Sequence, residues 1–198
     1  IEEIADKVSK NFRKTRTEAM DYVTTFIGEM YRTGIIAQRE GKIDYKKNWP
    51  PPTTVFWDIT GECNLRCTHC YNLNGQPSEH ELSTEEIKRS LEEMSAFGVK
   101  NIIFSGGEPL LRKDFLDIAT HTGSLGFEYA SVATNGTLVN REIARRLKAA
   151  NIYVQISIDG DGAKIQDTIR SVKGAFDQAI RGIKILQEEG IDVSVCTT

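Results

Sequence analysis

From Thr54 onward the sequence alternates short apolar runs with amphipathic stretches, and that rhythm admits few folds. Thr54 to Thr60 (TVFWDIT) reads as a buried strand. Ser83 with Glu86 forms a capping box ahead of Ile87, Leu91 and Met94, so a helix follows, its cap contributing about 1 kcal/mol. Gly98 ends that helix, and Asn101 to Ser105 (NIIFS) is the second strand. A helix near Asp114 to Thr120 leads to a third strand, Tyr129 to Thr134. Asn140 caps a helix bearing Ile143 and Leu147, and Ile152 to Ile158 is the fourth strand. The longest helix, Ala175 to Glu189, carries Phe176, Ala179, Ile180, Ile183 and Leu186 on one face; Gly190 stops it before strand five, Ile191 to Thr197. Repeated right-handed βα units give an α/β fold, a parallel sheet with helices outside, either open or curled into a barrel.

Before Thr54 the pattern differs. Residues 1–36 have helical spacing, with Ile1, Ile4 and Val8 on one stripe and Ala19, Val23, Phe26, Ile27 and Met30 on another, up to a stop at Gly34. Residues 37–53 are polar and end in Pro50, Pro51 and Pro52, which neither continue a helix nor pair inside a sheet. The expected division is a helical segment at 1–36, a linker at 37–53 and the βα domain at 54–198. The chain starts on Ile and ends on a strand that no helix covers, so it reads as part of a longer protein.

In parallel βα folds the loops leaving the strands' C-terminal ends share one face, where active sites sit. Read in turn, these loops are rich in chemistry. The first holds Cys63, Cys67 and Cys70 (CNLRCTHC); the second Gly106, Gly107 and Glu108 (SGGEP); the third Thr134, Asn135 and Gly136; the fourth Ser157, Asp159 and Gly160 (SIDG). Taken singly, Gly-Gly and Asn-Gly are turn signals, and Ser157 or Asp159 could cap the next element. Together on one face they form a candidate site.

Three cysteines within eight residues suit an iron–sulfur cubane, giving three irons a thiolate and leaving the fourth open to a small molecule. The competing zinc site would close with four ligands, and the nearest fourth candidates are His69, wedged inside the loop, and the distant Cys196. Cys196 alternates with Ser194, so both point to one side of strand five, and a buried free cysteine facing the barrel interior is expected. Neither GxGxxG nor GxxxxGK[ST] follows any strand, removing the two commonest nucleotide cradles.

Composition excludes other classes. The hydrophobic fraction is 39% and no run approaches the eighteen apolar residues of a membrane helix. A net charge of −3 offers no general attraction for nucleic acid or anionic lipid. The one basic cluster, Arg13 to Arg16, lies on a helical pattern and reads as a solvated face. Reduced thiols and no signal peptide point to the cytoplasm.

CNLRCTHCY, SGGEPLL, ATNGT and SIDG, in this order and spacing, resemble the radical S-adenosylmethionine superfamily over roughly Thr53 to Thr198. The resemblance implies a partial parallel (β/α) barrel, five strands of an expected six. It implies a [4Fe-4S] cluster on Cys63, Cys67 and Cys70, with S-adenosylmethionine chelating the open iron. Reductive cleavage of that cofactor would yield methionine and a 5′-deoxyadenosyl radical that takes hydrogen from a substrate. Gly106 and Gly107 would let backbone approach the methionine part, Glu108 would accept from its ammonium, and Asn135 would join them. Ser157 and Asp159 would bond the ribose hydroxyls or the surroundings of the methionine carboxylate. His69 would border the adenine, Arg170 would pair with the carboxylate, and Tyr71 would pack beside the cluster or in the core. Ser157 to Leu186 resembles the branch with a C-terminal auxiliary-cluster domain, which modifies peptides and proteins and has relatives in haem and cofactor biosynthesis. That branch implies auxiliary iron–sulfur clusters beyond Thr198 and a flavodoxin- or ferredoxin-type electron donor, with neither nucleic acid nor membrane as partner. The N-terminal helices resemble the last part of a peptide-binding domain fused to such maturases. The alternative is a non-catalytic iron–sulfur or zinc module for sensing or assembly, which would not need the GGEP and SIDG loops.

Overall fold

Five strands, β1 (Thr54–Asp58), β2 (Asn101–Ser105), β3 (Tyr129–Thr134), β4 (Tyr153–Ser157) and β5 (Val193–Cys196), form one sheet in the order β1-β2-β3-β4-β5, every neighbouring pair parallel. The computed structural model describes residues 2–12, 14–32, 51–71, 75–77 and 80–197. They fall in two compact units, Ile1–Pro50 and Pro51–Thr198.

In the second unit each of the first four strands is followed by helix: α3 (Thr84–Phe97), α4 (Phe115–Gly123), α5 (Arg141–Ala149), then α6 (Ala163–Arg170) and α7 (Ala175–Glu188). Strand alternation divides the sheet into two faces. The outer face carries Trp57, Phe104, Val132 and Ile156 against Ile87 and Leu91 of α3, Phe115 and Ile118 of α4, Leu147 of α5 and Leu186 of α7. Phe104 meets Phe115 edge to face, centroids 5.6 Å apart at 83°. The inner face is more open: Ile103 and Ser131 are buried on it, but Phe56 is 74% exposed, and Tyr129 and Tyr153 stack at 4.9 Å with 18° between their planes. Helices on one face of a sequentially ordered parallel sheet make an α/β partial barrel.

The expected strands lie within one or two residues of the observed ones. The capping box at Ser83 and Glu86 is formed, Gly98 caps α3 in the left-handed conformation (φ 98°), and the Asn140 side chain accepts from Ile143 N. Helix α6 is an addition to the reading of the sequence. Its buried residues are Gln166 and Arg170, so apolar spacing does not mark it. Cys196 is a correction. It shares the inner face with Ser194, in register with Ser157, but is exposed, because β5 is the edge strand and no described residue covers the face beside it.

In the first unit, α1 (Glu2–Phe12) packs on α2 (Arg16–Arg32) through Ala5, Ala19 and Val23, with Val8, Met20 and Ile27 around them. Ile4 and Phe26, expected on the packing stripes, are 50% and 52% exposed; two alanines at the contact bring the helices close along a narrower line. Arg16 pairs with Asp6 and Glu2 at the surface, as a solvated basic residue does. Ile1, Arg13, Gly34, residues 37–50 of the expected linker and the Met30 side chain lie outside the described residues.

Candidate metal and cofactor site

The loop carrying Cys63, Cys67 and Cys70 leaves β1 and is fastened at both ends. At its root, Thr60 O accepts from Gly107 N and Glu62 O from Glu108 N, each at 2.7 Å. A Cβ on Gly106 would stand 2.3 Å from Thr60 O, and one on Gly107 2.1 Å from Glu62 O. The paired glycines therefore let the turn after β2 lie backbone to backbone against the cysteine loop. They also line the cleft, but the close approach they permit is to protein. Glu81 holds the root from another side, accepting from Thr60 Oγ1 at 2.9 Å and Gly61 N at 2.7 Å. Arg112, ion-paired with Asp114, donates to Ile59 O and Leu82 O.

The far half of the loop rests on α6. Thr68 N donates to Ile169 O (2.9 Å) and Arg66 N to Arg170 O (3.1 Å), using carbonyls that a helix C-terminus leaves unpaired. Ser171, left-handed at φ 55°, ends the helix there. Gln166, buried one turn before Arg170 in the same helix, accepts from Asp159 N and Gly160 N and donates to Ser157 O. One polar side chain thus shapes the SIDG loop, and α6 links that loop to the cysteines.

These elements enclose a cleft of about 540 Å³ lined by Cys63, Cys67, Cys70, His69, Tyr71, Gly106, Gly107, Asn135, Ser157 and Arg170. Nine of the eleven expected site residues meet there. The other two stand behind it. Glu108, fully buried, accepts from Thr134 Oγ1 (2.7 Å), Leu110 N (3.0 Å) and Asn135 N (2.8 Å). It ties the exit of β2 to that of β3 instead of lining the cleft as expected. Burial pushes its carboxyl above the ordinary carboxylate range, against the lowering effect of those three bonds. The Asp159 side chain is also buried, its carboxylate 2.5 Å from Arg170 Nη2 and 3.7 Å from His69 Nε2. Asn135 reaches across to Asn64 in the cysteine loop, and its Oδ1 accepts from Thr137 N and Oγ1. Tyr71 is 71% exposed and donates to Asp58, so it is not a core residue.

The donor set suits the implied group. The three thiols, all from one short loop, line one cleft, and three thiolates so placed suit a multi-iron cluster, whose ligands reach different metals. Burial raises the Cys63 thiol, partly offset by the Leu65 N–H that donates to its sulfur, so loading iron there releases a proton. Arg170 supplies the other half of the fit. Its Nη1 donates to Cys67 Sγ at 3.4 Å. Its buried Nε has no partner, a donor placed for an anionic group such as a carboxylate.

Glu81, Arg112, Asn64 and Gln166 are site-building residues that spacing did not reveal. Each acts across 6 to 73 positions of sequence, and each is a polar residue in a loop or short helix, where periodicity carries no signal.

Known proteins are similar to this chain. The chain is 43% identical over 155 residues to the Fe-coproporphyrin III synthase of Methanosarcina barkeri, a match over 77% of this chain and 38% of that one. It is 33% identical over 149 residues to the mycofactocin maturase MftC of Mycolicibacterium smegmatis, covering 74% and 37%. Among solved structures, Streptococcus suis SuiB bound to precursor peptide SuiA superposes with a TM-score of 0.67 at 17% identity, over 92% of this chain and 38% of that one. The chain thus spans under half the length of the relatives it matches. The Radical SAM superfamily model matches residues 57–198, from the middle of β1 through the cysteine loop and every loop of the cleft, and the chain belongs to that superfamily.

Proposed function

We propose that this chain is the cluster- and cofactor-binding portion of a radical S-adenosylmethionine enzyme acting on a peptide or a biosynthetic intermediate. The observation that carries the reading is the meeting, in one cleft, of three cysteines and the unpartnered buried Nε of Arg170. Cys63, Cys67 and Cys70 would hold a [4Fe-4S] cluster. When bound, the cluster supplies an electron that breaks a C–S bond of S-adenosylmethionine, yielding methionine and a 5′-deoxyadenosyl radical able to take hydrogen from a substrate. The remaining work falls to the protein. Arg170, held by Asp159, offers its free donor to the methionine carboxylate. Gly106, Gly107 and Asn135 border the same cleft, Ser157 offers a hydroxyl, and His69 stands beside the second and third cysteines. Glu108 and Asp159 act from behind, fixing β3's exit and the guanidinium.

Relatives in tetrapyrrole synthesis and in peptide maturation support both substrate classes. By the same resemblance the full-length protein takes electrons from a flavodoxin- or ferredoxin-type donor and carries auxiliary clusters beyond Thr198. A cytoplasmic setting suits free thiols, and among the described residues no helix is long and apolar enough to cross a membrane.

The test is anaerobic reconstitution of the full-length protein. About four irons per chain are expected in the cleft, and Cys63→Ala, Cys67→Ala and Cys70→Ala should each lower the iron content by about that number, with a matching drop in charge-transfer absorption, while Cys196→Ala leaves both unchanged. The reduced protein should convert S-adenosylmethionine to 5′-deoxyadenosine and methionine. A cluster-loaded, reduced protein that neither binds nor cleaves it would leave the sensing or assembly module standing.

A further inference from the structure

The inner face of the sheet carries an ionic feature that cluster and cofactor do not use. At the C-terminal end of β1, Asp58 is exposed on that face, and Tyr71 Oη donates to both its carboxylate oxygens at 3.1 and 3.2 Å. Phe56, two residues earlier on the same face, lies roughly 7 Å along the strand. Phe56 and Tyr71 are 74% and 71% exposed, more than any other large hydrophobic or aromatic residue among the described ones. One carboxylate beside two exposed aromatic rings is the composition that recognises an organic cation, through charge and ring faces together.

The surrounding charge agrees. No Lys, Arg or His occurs in any of the five strands, and among the described residues no cation pairs with Asp58. A substrate bearing several carboxylates would find no basic partner on this face and one repelling charge. An ammonium or guanidinium would find the reverse. Tyr71 and Ser105, the latter beside Asp58 in the β1–β2 register, both line the cysteine cleft. A side chain anchored at Asp58 therefore has its neighbouring C–H groups at the edge of the cleft.

We infer that Asp58, Phe56 and Tyr71 form a seat for the cationic side chain, lysine or arginine, of a peptide substrate. The inference rests on the radical-enzyme reading for its meaning, but its test does not require turnover. Binding to the full-length, cluster-loaded, unreduced protein is measured by saturation-transfer NMR with Nα-acetyl-lysine amide and its neutral counterpart Nα-acetyl-norleucine amide. The lysine probe should bind about tenfold more tightly, the increment of one charge-assisted hydrogen bond. Asp58→Asn should remove the preference, with Asp58→Ser as a second replacement giving the same loss. Equal affinity for the two probes in the unaltered protein, a comparison that needs no variant, would overturn the proposal. So would a preference that survives both substitutions, or coproporphyrin III displacing the lysine probe and binding more tightly, which would assign the face to an acidic tetrapyrrole. A lysine preference in a protein that fails to cleave S-adenosylmethionine would keep the seat and remove the radical reading.

Discussion

The two faces of the sheet are built from alternate residues of the same strands, yet they have opposite characters. The outer face places Phe104, Val132 and Ile156 under four helices with no exposure. The inner face presents Asp58, Ser105, Gln155 and Ser157 together with open aromatic rings. Stability is concentrated on one side, and the other is left free to bind. The rim where the faces meet, at the strands' C-terminal ends, is where the cysteine loop is attached.

The largest contrast is between two phenylalanines. Phe104→Ala should cost about 3–5 kcal/mol of unfolding free energy by leaving a core cavity, whereas Phe56→Ala should stay within about 0.5 kcal/mol, as exposed positions do. Chemical denaturation of the two variants measures both, and a cost at Phe56 matching that at Phe104 would mean the inner face is covered in the full-length protein. At the rim, Gly107→Ala forces a Cβ onto Glu62 O, an overpacking cost of roughly 1–3 kcal/mol. Because the collision lifts the cysteine loop off the β2 turn, iron content after reconstitution should fall while far-UV circular dichroism holds. Unchanged iron loading would show the loop tolerates the shift.

Glu108→Gln is the subtlest test. It sets an amide N–H₂ against a backbone N–H or the Thr134 hydroxyl, costing about 1–3 kcal/mol. Burial raises the native pKa of Glu108 above its unfolded value, so the native state keeps this proton to higher pH. The associated stability is complete below the unfolded pKa and declines as pH rises through the native one. The denaturation midpoint of the unaltered protein should carry that decline and the variant should lack it; parallel pH profiles would contradict the assignment.

The outer face was legible in the sequence, because burial there imposes strand and helix periods. The cysteine spacing and the glycine, amide and hydroxyl loops were legible too, and nine of those residues meet in the cleft. What escaped was polar and long-range. Helix α6 buries Gln166 and Arg170 in place of an apolar stripe, and Glu81 and Arg112 reach the loop from 20 and 53 residues away. Side-chain direction at Glu108 and exposure at Cys196 depended on neighbours that no spacing identifies. The paired glycines permit a close backbone approach, and the approach seen in the structure is to the cysteine loop.

The support of that loop by the last carbonyls of α6 also sets an order of events. Cys67 and Arg170 are 103 residues apart, so the loop's final shape waits on nearly the whole βα series, and closing so long a span is entropically costly until the intervening strands have paired. The thiols should therefore stay open to alkylating reagents during refolding until after β4 is protected from hydrogen exchange; early protection would show that the loop forms locally. For the proposed cluster, capture would then be a checkpoint on completed folding, since a chain halted before α6 presents the three thiols without the frame that aims them.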